Sequence, residues 1–184
     1  NSYGGDAILT KKNHQNGTER IAEVANKFTS ELIIDIQGDE PLIDPKNIDE
    51  IIRFHKKNKK FDLIIPSAKL KDPSSKNIVK IVANKENKIL YMSRAPLPFE
   101  CKEKTVFRKH LSIISFKPSA LKKYSTLKKS LLEKIEDIEL LRAIENDMLL
   151  GTTFVNSSSI SVDIKADYLT AVELMKKDKI RKRY

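Results

Sequence analysis

An α/β domain with a mixed, mainly parallel sheet is what this sequence predicts, and three observations carry it. Strand-like apolar runs alternate with helix-like periodic segments through the first third of the chain, the order expected of βαβ units. Residues 32–36 are largely apolar and β-branched, and they end in Gln37-Gly38-Asp39-Glu40-Pro41. That is how a strand covered on both faces delivers polar groups to a sheet edge, beyond which ligands sit in open α/β folds. Residues 77–83 and 88–92 flank the polar stretch Asn84-Lys85-Glu86-Asn87 as a hairpin would, adding antiparallel strands at one edge.

The elements follow in order. Residues 6–10 read as a short strand after the Gly4-Gly5 turn, and residues 11–17 as a polar turn. Thr18 is a suitable helix N-cap, and Ile21, Ala22, Val24, Ala25 and Phe28 then recur at helical spacing. Pro45 suits the first turn of the next helix, where its missing N–H costs nothing. Ile48, Ile51, Ile52 and His55 form that helix's inner stripe, and its Lys-rich end complements the helix dipole. Residues 62–68 predict a strand, with Pro66 placing a strand end or a sheet edge. The segment 93–99 carries Pro96 and Pro98 and is read as extended. A strand over 111–116 follows, then a helix opened by Pro118, then the clearest amphipathic helix over 131–146. A short strand at 152–155, a second polar edge at Asp163 and a helix over 166–175 close the chain. With no internal repeat and no low-complexity linker, residues 1–184 read as one domain.

Composition narrows the function classes. The 184 residues are 40% hydrophobic and 33% charged, a globular rather than a disordered balance. Cys101 is the only cysteine, which excludes an intramolecular disulfide and points to a reducing, cytoplasmic setting. No apolar run is long enough to span a bilayer, so no membrane insertion is expected. The net charge of +10 calls for a polyanion or a phosphate-rich small substrate. Nucleic acid is the poorer fit: the basic clusters are spread over several elements, and aromatics for base stacking are few. The chain opens at Asn1 rather than Met, and is expected to lack an N-terminal part.

Two acids end strand-like runs, Asp39 and Asp163. A sheet can bring such a pair together around a magnesium ion that also takes phosphate oxygens. Read alone, each is a turn or cap residue, and Asp163 suits a helix N-cap. Arg20, Arg94, Lys109, His110 and Arg142 are the cationic candidates for an anionic substrate. Three scattered His residues and one Cys argue against zinc. GxSxG, Walker A and GxGxxG motifs are all missing from the sequence, so serine-hydrolase and P-loop chemistry have no support.

Six stretches in order resemble the 3-deoxy-manno-octulosonate (Kdo) cytidylyltransferases. They are His14-Gln15-Asn16-Gly17-Thr18-Glu19-Arg20, Ile36-Gln37-Gly38-Asp39-Glu40-Pro41, Ser93-Arg94-Ala95-Pro96, Lys109-His110-Leu111, Ile138-Glu139-Leu140-Leu141-Arg142-Ala143 and Ser161-Val162-Asp163. Together they cover nearly the whole chain. The resemblance implies a nucleotidyltransferase-like (nucleotide-diphospho-sugar transferase) three-layer fold. It implies transfer of CMP from CTP to the anomeric hydroxyl of Kdo, with release of pyrophosphate, in the cytoplasm and for lipopolysaccharide biosynthesis. It further implies that Asp39 and Asp163 are the catalytic pair that holds Mg²⁺. Gln37 would border nucleotide and sugar. His14, Gly17, Thr18 and Arg20 would line the cytidine pocket, and Arg94, His110, Glu139 and Arg142 would serve the sugar acid. A homodimer is the implied assembly.

The chain also departs from the family pattern. The Gly-, Arg- and Lys-containing loop that grips the triphosphate in the family has no counterpart here, so a chain of these residues alone is expected to lose CTP affinity and turnover. Ile114 stands where the family usually has Tyr, Leu140 where it usually has Gln, and Ser159-Ile160-Ser161 where glycines usually precede the second metal Asp. A second acidic sugar, a modified Kdo or a nonulosonate, is therefore the alternative acceptor. A basic nucleic-acid-binding domain is a distant third reading.

Overall fold

The first helix begins two residues earlier than the sequence suggests. In the computed structural model, which describes residues 4–14, 16–156, 160–162 and 164–180, α1 spans Gly17–Ala25. Its N-cap is Asn16, whose side chain accepts from the Glu19 N–H (2.8 Å), while Thr18 is buried inside the first turn. The remaining elements are β1 (Ile33–Ile36), α2 (Pro45–Lys57), β2 (Leu63–Leu70), β3 (Lys80–Ala83), β4 (Ile89–Ser93), β5 (Phe107–His110), β6 (Ile113–Phe116), α3 (Pro118–Ser125), α4 (Leu131–Glu136), α5 (Leu141–Glu145), β7 (Leu150–Phe154) and α6 (Lys165–Lys177). Residues 6–10, read as a strand, form no regular element and lie mostly exposed. Among the described residues, no helix is long and apolar enough to cross a membrane.

The sheet is mixed, but the expectation of a mainly parallel one is corrected. Among the described residues its order is β1-β6-β2-β5-β3-β4, with β7 paired to β2. Only β2 and β7 pair in parallel there; β1–β6, β2–β6, β2–β5, β3–β5 and β3–β4 are antiparallel. The cause is β6. It inserts between β1 and β2, both of which it opposes, so these two run in the same direction without touching.

Pro66 explains how β5 and β6 relate. Both lie along the same side of β2, β6 pairing with Leu63 and Ile64 and β5 with Ser67 to Leu70. The register shifts between them, at Leu111 and Ser112, as in a bulged strand. Pro66 sits opposite this break and its carbonyl accepts from the Leu111 N–H (3.3 Å). Its missing N–H therefore faces the interruption, and a proline is tolerated well inside a central strand rather than at an edge.

Alternation along the strands builds two cores. Ile64 and Ile113 pack with Phe61 against Ile51 of α2 on one face. Leu63, Ile65, Ile114 and Phe116 face Ala22 of α1, Leu121 and Tyr124 of α3, and Leu141 and Ala143 of α5 on the other. The result is three layers, helix–sheet–helix. His55 is buried in the α2 layer. Its Nε2–H donates to the Phe61 carbonyl (3.2 Å) and its Nδ1 accepts from the Ser115 hydroxyl (2.8 Å), so it is the neutral tautomer. Burial lowers its pKa in keeping with that.

The single helix expected over 131–146 is two short ones. A Ser130–Glu133 capping box starts α4, and Asp137 at φ 53° ends it. The break is what lets Glu133 and Arg142 meet. In an unbroken helix, residues nine apart stand about 13.5 Å apart along the axis. Here Arg142 donates from Nε and Nη2 to the two oxygens of Glu133 at 2.8 and 2.7 Å.

Candidate active site

The turn after β1 is built by backbone bonds. The Gln37 N–H donates to the Ser112 carbonyl (3.2 Å) and the Glu40 N–H to the Gln37 carbonyl (3.4 Å). Glu40 turns inward, buried, where its carboxylate accepts from the Ser112 N–H (3.4 Å). Asp39 is left exposed at the rim, and its carbonyl accepts from the Val162 N–H (2.9 Å). This bond brings the segment 160–162 to the edge that carries Asp39. Asp163 lies outside the described residues. The cap of α6 is Ile164, whose N–H donates to the Asp167 carboxylate (3.1 Å), so the capping role read for Asp163 falls to Ile164.

A cleft of about 1310 Å³ opens beside this turn, lined among others by Gln37, Asp39, Arg94, His110 and Glu139. These five come from four separate parts of the chain and were singled out by sequence alone. A shallower recess of about 560 Å³ adjoins it, sharing Gln37, Asp39 and Glu139 and adding Gly17, Arg20 and Asp35. Ile114 and Leu140 also line the cleft, so its wall is apolar at both positions. Among the described residues no cluster of three His, Cys, Asp or Glu side chains could hold a metal.

The charged groups of the cleft differ in how they are held. Arg94 is fixed by three backbone carbonyls: Nε donates to Glu136 (2.9 Å), Nη1 to Lys76 (3.3 Å) and Nη2 to Asp137 (3.1 Å). Its own N–H donates to the Glu136 carboxylate (2.9 Å). His110 ends β5, and burial pushes its pKa down to about 4 against the pull of Glu40. Near neutral pH it is thus an uncharged imidazole, not the cation the sequence suggested. Glu139 accepts from the Thr18 hydroxyl at Oε1 (3.0 Å), while buried Oε2 has no hydrogen-bond partner among the described residues. Burial raises the Glu139 pKa, opposed by the Thr18 hydrogen bond and reinforced by nearby Asp35. The buried amide nitrogen of Asn16 is likewise without a partner there and lines the cleft.

Three residues read as site residues are used elsewhere. Arg142 has 0% side-chain exposure, bound to Glu133, to Glu19 (3.3 Å) and to the Leu127 carbonyl (3.0 Å), and it braces α4, α5 and α1. Four of its five N–H donors are used there, and it does not line the cleft. His14 pairs with Glu23 of α1. Thr18 is fully buried and acts through Glu139. A fourth, Arg20, stays at the recess while also bonding the Thr10 hydroxyl and the Lys11 carbonyl.

Asp35 was missed. It is 5% exposed in the middle of β1 and burial pushes its pKa up to about 6. Its signal in the sequence was a single acid interrupting the run Leu32-Ile33-Ile34-Asp35-Ile36, where a strand covered on both faces should be apolar throughout.

Comparison with known proteins agrees with this geometry. Residues 1–151 match the family described as cytidylyltransferase. The chain is 36% identical to the 3-deoxy-manno-octulosonate cytidylyltransferase of Fusobacterium nucleatum, over 98% of this chain and 76% of that one. It is 37% identical to that of Rickettsia prowazekii, over 94% and 71%. A solved structure of CMP:2-keto-3-deoxy-manno-octonic acid synthetase complexed with CTP superposes with a TM-score of 0.90 at 29% identity, covering 96% of this chain and 74% of that one. The chain belongs to the cytidylyltransferase family, among the 3-deoxy-manno-octulosonate cytidylyltransferases.

Proposed function

We propose that this nucleotidyltransferase moves CMP from CTP to the anomeric hydroxyl of Kdo, with release of pyrophosphate. The observation that carries the reading is the convergence of Gln37, Asp39, Arg94, His110 and Glu139 on one cleft, in a chain of this family. The hydroxyl oxygen forms a bond to the α-phosphorus as the bond to the pyrophosphate oxygen breaks, and the hydroxyl proton is released to solvent. A sugar hydroxyl is a weak nucleophile, so alignment and charge neutralisation supply most of the acceleration.

The roles follow from what each group can do. Arg94, rigidly held, meets the sugar carboxylate through the N–H groups its backbone contacts leave over. Neutral His110 adds a hydrogen bond without competing for charge. Glu139, with an oxygen left without a partner among the described residues, accepts from the sugar hydroxyls. Gln37 borders sugar and nucleotide. Gly17 and Arg20, in the adjoining recess, serve the nucleotide. The exposed carboxylate of Asp39 suits a hard cation, and together with Asp163 it would hold Mg²⁺. When bound, that ion neutralises charge at the reacting phosphate.

The test is pyrophosphate release from CTP and Mg²⁺ by the full-length protein, with and without Kdo. Release that does not depend on the sugar overturns the reading. The apolar wall at Ile114 and Leu140 favours one second reading, a related acidic sugar with fewer hydrogen-bonding groups on that side. A panel of sugar acids ranked by kcat/KM separates the two. A cytoplasmic homodimer is part of the proposal on family likeness, and sedimentation of the purified protein tests the assembly.

A further inference from the structure

Lys80 is an anomaly for a strand residue. Its side chain is among the largest that are fully buried, at 0% exposure, with an ammonium at its end. Among the described residues, no carboxylate is bonded to it. Its three N–H donors instead meet three backbone carbonyls: Ser75 at 2.5 Å, Ile78 at 2.9 Å and Arg94 at 2.6 Å. A buried charge is costly unless it is fully hydrogen-bonded, and this one is satisfied at every donor. Burial nevertheless lowers its pKa, with the nearby Arg94 charge acting in the same direction.

The three carbonyls come from two separate segments. Ser75 and Ile78 belong to the connection before β3, whose residues Asn77, Ile78 and Val79 line the cleft. Arg94 follows β4 and lines the same cleft. Arg94 also donates back across the gap, from Nη1 to the Lys76 carbonyl. Lys80 thus ties the 75–78 connection to the backbone of the residue assigned to the sugar carboxylate. A hydrophobic side chain would fill the space but leave all three carbonyls unbridged. A carboxylate would be repelled by them.

We propose that Lys80 is a positioning residue for acceptor binding: its buried ammonium clamps the 75–78 connection to the Arg94 carbonyl and so fixes the Arg94 guanidinium for the carboxylate of the sugar acid. The inference rests on the assignment of Arg94 to that carboxylate. Lys80 touches no substrate itself.

The experiment compares Arg94→Lys, Lys80→Met and the double variant in the full-length protein, with KM measured separately for CTP and for Kdo. Lys80→Met is expected to raise the Kdo KM about tenfold, the scale of roughly one charge-assisted hydrogen bond, and to leave the CTP KM within about twofold. The double variant should bind Kdo no worse than Arg94→Lys alone, because Lys80 acts through Arg94. Equal rises in both KM values, or additive losses in the double variant, would overturn the proposal. If Arg94→Lys itself leaves the Kdo KM unchanged, the assignment of Arg94 fails and the proposal falls with it. If Arg94→Lys raises it and Lys80→Met does not, only the proposal fails. Should Lys80→Met not fold, Lys80→Gln, which keeps an amide donor, is read in the same way. Loss of the fold in both assigns Lys80 to the core alone and likewise overturns the proposal.

Discussion

Two groups of charge meet α1, one through Glu19 and one through Thr18, and they are built on opposite rules. In one, Arg142 is enclosed by Glu133 and Glu19, with the Leu127 carbonyl as a further acceptor. One cation serves two carboxylates, and the group ties three helices together. In the other, buried Asp35 lies near half-buried Glu139, which leaves a buried oxygen without a partner among the described residues. That second group borders the cleft and its recess. Buried carboxylates that are not neutralised cost stability, and proteins keep them where a ligand completes them. The first group should therefore answer to stability measurements and the second to activity and pH.

The largest expected effect tests the paired group. Arg142→Met removes the counter-charge from two carboxylates and leaves them uncompensated. Breaking a buried pair on one side costs about 3–5 kcal/mol. Urea unfolding should show that loss as a lower midpoint at unchanged slope. A midpoint shift equivalent to less than about 1 kcal/mol would remove the distinction between the two groups.

Next comes Asp39, exposed at the mouth of the acid side. Asp39→Asn keeps size and shape but weakens any grip on a hard cation. Turnover should fall about 10²–10³-fold, the scale of losing one major electrostatic contribution to the transition state. The unfolding midpoint should stay where it is. Near-normal turnover would end the metal role of Asp39; a large stability loss would move it into the structural group.

Asp35 gives a smaller effect with a sign fixed by linkage. Its folded-state pKa is raised by burial from 3.8 to about 6. The folded protein thus binds this proton more tightly than the unfolded chain does, and the associated stability is present at low pH and lost as pH rises through about 6. Above that pH the buried carboxylate costs up to about 3 kcal/mol. Asp35→Asn cannot titrate, so its stability relative to the wild type should be higher at pH 8 than at pH 4.5 by a margin of that order. A difference that is flat across this range would show that Asp35 is solvated or paired after all.

The same contrast governs what could be read in advance. Of the residues that line the cleft, Asp39 was legible from its strand end and Arg94 from its proline-flanked segment, whereas Gln37 and Glu139 were reached only through the family resemblance, Glu139 lying inside what read as one helix. The hairpin of β3 and β4 was legible from its polar turn, and α2 from Pro45 and its apolar stripe. The mostly antiparallel pairing of the sheet was not, because nothing local marks β6 as the strand that inserts between β1 and β2. The break between α4 and α5 was hidden because its residues keep helical apolar spacing through Asp137. The left-handed backbone of Asp137 and the pairing of Glu133 with Arg142 reveal it. Arg142 was read as a substrate ligand for the same reason: a lone Arg in a motif does not announce that two acids elsewhere in the chain enclose it. Asp35 and Lys80 were overlooked because each is one polar residue within a strand-like run, and burial is decided by partners distant in sequence.

The smallest effect lies at the contact between the groups, where Thr18 of α1 donates to Glu139. Thr18→Val keeps the β-branched shape inside the helix and removes only the hydroxyl. The hydrogen bond favours the charged carboxylate, so its loss should raise the Glu139 pKa beyond the upward push it already receives from burial. Glu139 is assigned to accept from the sugar hydroxyls, a task for the ionised group. The acid limb of the kcat/KM profile should then move to higher pH, with a loss of about fivefold below neutrality, equivalent to roughly 1 kcal/mol. At alkaline pH, where Glu139 is ionised in both proteins, the two profiles should converge. A uniform loss at every pH would mean that Thr18 serves packing rather than ionisation, and would place Glu139 with Arg142 among the charges that hold the fold.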